Sequence, residues 1–178
     1  ILKYFPNLKR LEICNSDIND NVIGFIAKML GLEVLMFNNC HITNIRGLYQ
    51  SKIKSLGFNN CIVSDIEFVG NMKGLNAIKL INMKLDTINF LENLPHLIEV
   101  DLSYSSINET STMYHFILIE RLALDNSNII DLDFVNKYSG LTEISISNNQ
   151  YKKNKELIDD LVALNIKVYE DDVICYNH

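Results

Sequence analysis

The chain has 178 residues, 48% of them hydrophobic, with 22 Asp and Glu against 16 Lys and Arg for a formal net charge of −6. That length supports one domain with a substantial buried core. The acidic balance speaks against nucleic acid, whose phosphates are held largely by Lys and Arg, and no uncharged apolar run reaches the roughly 18 residues of a membrane-spanning helix.

Read from the start, short apolar motifs recur at a near-constant interval. Their central residues are Leu11, Leu35, Leu56, Ile78, Val100, Leu122, Ile144 and Ile166, separated by 24 residues, then 21, then 22 five times over. Each has an apolar partner two residues on, at Ile13, Phe37, Phe58, Leu80, Leu102, Leu124, Ile146 and Val168. Residues two apart share one face of a strand, so eight short strands are expected, each burying one such pair. The first interval is the longest, and NVIGFIAKMLGL (21–32) reads as an amphipathic helix within it. Units two and three, 32–74, hold the pattern with one residue deleted near Ser51. The fourth, 75–97, sets it out in full, with Leu75, Ile78, Leu80, Met83 and Leu85 followed by Ile88, Leu91 and Leu94. Unit five departs most, because INETSTMYHFILI (107–119) lacks the aspartate–isoleucine step of its neighbours. Phe68, Phe90 and Phe134 recur at corresponding points, which predicts an aromatic stack in the interior. Near the end, KNKELIDDLVAL (153–164) has Leu157, Leu161 and Leu164 at helical spacing, a second helix leading into the strand IKVY. The acidic stretch 170–172 reads as a solvated ending. With 7 Gly, 2 Pro and no low-complexity stretch, the chain shows no internal linker.

The spacing of Leu75, Ile78, Leu80 and Leu85, with second halves such as IVSDIEFVGNMKGL (62–75), LDTINFLENLPHL (85–97) and IIDLDFVNKYSGL (129–141), resembles the leucine-rich repeat. Within it, the units look like the short 22-residue subclass of internalins and of a protein phosphatase regulatory subunit. The resemblance implies an α/β solenoid of about eight units, with a parallel concave sheet and with loops and short helices on the convex side. It covers 1–178 as a single domain. The first strand lacks an obvious polar cap, and the chain opens at Ile1, so the domain reads as a fragment with a missing N-terminal cap. The position that holds a buried Asn in the family is taken by Ser16, Cys40, Cys61, Met83, Ser105, Ser127 and Asn149. Small polar side chains can hydrogen-bond the backbone there, whereas Met83 cannot, which puts the regularity of its turn in question.

Catalytic and metal signatures are missing from the pattern. Cys40 and Cys61 fall at equivalent inward turn positions and read as free buried thiols; Cys14 points outward, Cys175 lies in the tail, and no C-x-x-C pair exists. Cys175-x-x-His178 is at most half a metal site. His41, His96, His115 and His178 sit in loop or turn phases without a nucleophile and orienting acid. The carboxylate pairs Asp131 with Asp133, and Asp159 with Asp160, fall on the solvated convex side. No cofactor and no enzymatic activity are expected. Unpaired cysteines favour a reducing compartment, while the Asn108-Glu109-Thr110 sequon and the Ile1 start leave secretion open.

The outward strand positions remain. Val34, Met36 and Ile81 are apolar where water is expected, around small residues at Ser55, Gly57 and Ala77. Glu99, Asp101, Tyr104 and Asp125 make an acidic patch with an aromatic, Lys79 and Arg121 stand in the same outward columns, and Tyr104 interrupts a column otherwise rich in Asn, at 15, 39, 60, 82, 126 and 148. Tyrosine is a frequent interface anchor. These eight residues, Met36, Lys79, Ile81, Glu99, Asp101, Tyr104, Arg121 and Asp125, are the predicted partner-binding site. The expected function is a non-enzymatic scaffold that holds a protein partner on its concave face, with a basic partner suited to the acidic half. Two other readings stand beside it, the substrate-recognition part of a larger enzyme or effector and a structural spacer. The sequence does not name the partner or the oligomeric state.

Overall fold

The computed structural model describes residues 7–170 and the backbone of 173–174. Eight parallel strands lie side by side in chain order: Arg10–Cys14, Val34–Asn38, Ser55–Asn59, Ala77–Ile81, Glu99–Asp101, Arg121–Ala123, Glu143–Ile146 and Lys167–Glu170. Val173–Ile174 adds antiparallel to the last of them. The acidic residues after Glu170 and the Cys175-x-x-His178 pair lie outside the described residues, as does the chain start at Ile1.

The apolar repeat sets the register. Leu11, Leu35, Leu56, Ile78, Val100, Leu122 and Ile144 pair across successive strands as their spacing predicts. The eighth strand departs: Ile144 pairs with Val168 and not with Ile166. Two additional residues are consumed by a helix ending at Ala163 and by a left-handed turn residue, Asn165, at φ 62°. A slip of two keeps each side chain on its predicted face and moves it along the strand. Lys167 therefore stands opposite Glu143, and Tyr169 opposite Ser145.

The inward residues form one continuous core from Ile18 to Val168. Phe37 and Phe58 are fully buried and stack with ring centroids 5.7 Å apart and planes 9° apart. They form the stacked pair in place of the predicted Phe68, Phe90 and Phe134 series. Phe68 is only partly buried, with Arg46 Cζ 5.6 Å from its ring centroid. Phe90 and Phe134 are buried, but Thr112 stands between them in the column and bonds Asn89 and Glu92, so no stack can run through.

Behind the sheet, short 3₁₀ turns cover Arg46–Gln50, Ile66–Asn71, Asn89–Asn93, Ser111–His115 and Asp133–Lys137. The long first unit instead holds α1 (Asp20–Ala27), which buries Ile23 and Ile26 and is capped by Asn19 Oδ1 accepting from the Asn21 and Val22 N–H groups. Toward the far end come α2 (Asn148–Lys153) and α3 (Lys155–Ala163). The predicted apolar stripe on α3 is corrected: Ile158 and Leu161 are buried, Leu157 partly so, and Leu164, just past the helix end, is 71% exposed. Among the described residues, no helix is long and apolar enough to cross a membrane.

Each of the first six concave strands leads into a left-handed residue. Asn15, Asn39, Asn60, Asn82 and Asn126 have φ between 51° and 53°, and Tyr104 has φ 61°. Left-handed backbone crowds the Cβ of an L-residue, and Asn bears it better than most. That is the physical reason for the Asn column. Asn148 is the exception, because it opens α2. The Asn39 amide donates to Asn15 Oδ1 at 3.1 Å, and that of Asn60 to Asn39 Oδ1 at 2.8 Å.

The next residue points inward. Cys40 Sγ lies 3.5 Å from the Ile13 carbonyl, and Cys61 Sγ 3.4 Å from that of Phe37. Burial pushes the Cys61 thiol above its ordinary pKa, so it keeps the proton it donates. Ser105 Oγ donates to the Leu80 carbonyl at 2.5 Å and accepts from the Met83 N–H at 2.9 Å. In unit seven the inward polar group is Gln150, fully buried, and not Asn149: its amide bonds the Leu124 and Ile129 carbonyls at 3.0 and 2.6 Å. Cys40 and Cys61 are free and buried, and Cys14 is free and exposed.

Candidate interaction surface

Strand alternation turns Lys79, Glu99, Asp101 and Arg121 to the concave face, and the register sets Lys79 beside Asp101 and Arg121 beside Glu99. Glu99 stands between two cations, 3.1 Å from Lys79 Nζ and 2.9 Å from an Arg121 terminal nitrogen. Arg121 Nε donates to the same carboxylate at 3.1 Å. Burial raises the Glu99 pKa, but the hydrogen bonds and charges of Arg121 and Lys79 outweigh it and hold the carboxyl below its ordinary value. Lys167 and Glu143 pair at 3.0 Å on the next strands. The predicted acidic patch is thus a lattice of alternating sign. Asp101 lies 4.0 Å from Lys79 and also accepts the Ser103 N–H at 3.1 Å. Asp125 takes the Ser103 hydroxyl at 3.5 Å.

This lattice encloses a hollow of about 170 Å³ that also includes Tyr169. Sequence reasoning did not place Tyr169 beside these groups, because the eighth strand was set two residues out of register. Met36 does not stand free: its thioether lies across Gly57, where a Cβ would collide with its sulfur and methyl. Gly57 and Ala77 are buried, so the small-residue floor is covered. Ile81 is half-buried on the next strand but one from Met36.

Tyr104 belongs elsewhere. It is 59% exposed and lines a separate cleft of about 460 Å³ on the flank of the sheet, with Ile62, Asn82 and Lys84. Of the eight predicted residues, Lys79, Glu99, Asp101 and Arg121 come together, Met36 and Ile81 lie along the neighbouring strands, Asp125 reaches in through Ser103, and Tyr104 faces the flank.

No protein-family model matches the chain, and no curated protein matches it. Solved structures do. The internalin InlF of Listeria monocytogenes str. 4b F2365 is similar with a TM-score of 0.58 at 16% identity, over 96% of this chain and 58% of that one. Internalin C2 of the same strain gives a TM-score of 0.68 at 17% identity, over 97% and 77%. A leucine-rich repeat protein of Leptospira interrogans gives 0.59 at 16% identity, over 93% and 49%. The chain therefore spans little more than half the length of the first of these. At such identities the likeness is one of fold: this chain is a leucine-rich repeat solenoid.

Proposed function

We propose that the chain is a non-enzymatic interaction module that holds a protein partner on its concave face. The observation that carries this reading is the charge lattice of Lys79, Glu99, Asp101 and Arg121 on a floor of parallel strands. Eight strands at about 4.8 Å spacing give a face roughly 34 Å long, which suits an interface of standard size. Fixed charges of alternating sign favour a partner of complementary pattern and set its register more than they add affinity. A uniformly basic partner, suited to a bare acidic patch, is no longer favoured.

The test is affinity capture with the intact chain and with an Arg121→Glu variant, each coupled to a support. One and the same protein should be retained by the parent and lost by the variant, with retention that falls as salt rises. Equal retention by both would contradict the concave assignment.

A further inference from the structure

Beside the concave sheet runs a second, narrower ladder. Asp17–Ile18, His41–Ile42 and Ile62–Val63 form one part of it, and Lys84–Thr87 with Ser106–Glu109 form another. One backbone rung recurs along it. The His41 N–H bonds the Ser16 carbonyl, Ile62 that of Cys40, Ser106 that of Met83, and Asn128 that of Ser105. Among the described residues, the corresponding rung from Lys84 N–H to the Cys61 carbonyl is missing. The ladder breaks at that point, and the 460 Å³ cleft opens there.

Three features meet at this break. Met83 fills the inward position with a buried thioether that has no proton for the backbone. Ile62, on one wall, is 69% exposed. Tyr104, on the other, carries a bulky ring at φ 61°, where the column otherwise has Asn. A bulky residue held in left-handed backbone is a strained choice, and such choices cluster at ligand sites. The ionisable rim consists of Glu67 and Asp86 against Lys84, an excess of one carboxylate.

We propose that this cleft binds an extended peptide segment of a protein partner, whose backbone supplies the missing rung between Cys61 and Lys84. An apolar side chain of that segment seats between Ile62 and Tyr104, and a basic one lies against Glu67 and Asp86. Strand addition at an interrupted ladder uses main-chain hydrogen bonds for affinity and side-chain pockets for selectivity. The site is separate from the charge lattice and shares with the concave reading only the premise that the partner is a protein.

The probe is a phage-displayed library of random linear dodecapeptides selected on the intact chain, with an unrelated protein as control. Enriched peptides should pair an apolar residue with a nearby Lys or Arg. Their affinity should fall about tenfold or more on Ile62→Ser and on Tyr104→Asn, and stay unchanged on Arg121→Glu. Tyr104→Asn restores the residue type the column holds elsewhere, so a folding defect would not account for the loss. On binding, exchange of the Lys84 amide hydrogen should slow about tenfold, as a new hydrogen bond requires. Absence of enrichment would overturn the cleft. Peptides sensitive to Arg121→Glu and indifferent to Ile62→Ser and Tyr104→Asn would overturn it too, while supporting the concave reading. Binding at Ile62 and Tyr104 with unchanged Lys84 exchange would overturn the strand-addition mode.

Discussion

The turns after the second and third strands are tied in three ways, and those after the fourth and fifth are not. Asn39 and Asn60 take the left-handed backbone and extend an amide ladder from Asn15. Cys40 and Cys61 donate inward, and the Ile62 N–H closes the rung to Cys40. One unit on, Asn82 keeps the same φ, but Met83 has nothing to donate, the rung to Cys61 is missing, and Tyr104 replaces the next amide. The concave sheet does not register the difference, since Ile78 and Val100 pair as Leu35 and Leu56 do. Strand pairing and turn closure are thus separable in this solenoid. The core column carries the first, and the second is interrupted between Cys61 and Lys84 without disturbing it.

Substitutions can break or sharpen that contrast. Phe58→Ala attacks what both regions share, a fully buried ring stacked on Phe37. It should cost about 3 to 5 kcal/mol, read as a lower midpoint in urea unfolding. Asn39→Ala attacks only the tied turn. It places a residue without a local hydrogen-bonding group at φ 52° and cuts the amide ladder on both sides, for a loss of about 1 kcal/mol. Tyr104→Asn should act in the opposite direction. It relieves a strained residue whose ring is largely exposed, and it should raise stability by up to about 1 kcal/mol, read as a higher urea midpoint, while weakening any ligand of the flank cleft.

The smallest effect belongs to Glu99→Gln. The folded pKa of Glu99 is depressed, so its contribution is present above the unfolded value of about 4.3 and is lost as pH falls through the folded value. Parent and variant should differ by about 1 kcal/mol or less at pH 7, because the pair is partly solvated, and converge in acid. High salt should narrow the gap at neutral pH. A gap that persists in acid would assign the loss to packing instead of charge.

The fold was legible because one residue type in one phase repeats through the whole chain, from Leu11 to Ile144. Legibility failed where a local structure changed the count. The helix Lys155–Ala163 absorbs two residues and moves the last strand, which hid Tyr169 from the charge lattice. The Asn column was visible but its cause was not, since φ is a property of the turn and leaves no trace in hydrophobic spacing. Gln150 went unrecognised because the onset of α2 shifts the inward position by one residue from Asn149. The candidate site was readable as outward positions, but not as pairs. Which acid meets which cation depends on side-chain reach across strands, and that turned an acidic patch into an alternating lattice. Tyr104 was singled out as the break in the Asn column, and the turn carried it to the flank.

The central claim, that turn closure fails between Cys61 and Lys84 while the sheet continues, can be tested by amide hydrogen exchange on the unliganded chain. The amides of Ile62 and Ser106 each bond a preceding turn at 2.9 Å, and Lys84 holds the equivalent position without that bond. Lys84 should exchange about tenfold or more faster than both, with Ile78 and Val100 protected alike in the sheet between them. Protection of Lys84 equal to that of Ile62 and Ser106 would mean that the rung is closed and that the flank cleft does not exist.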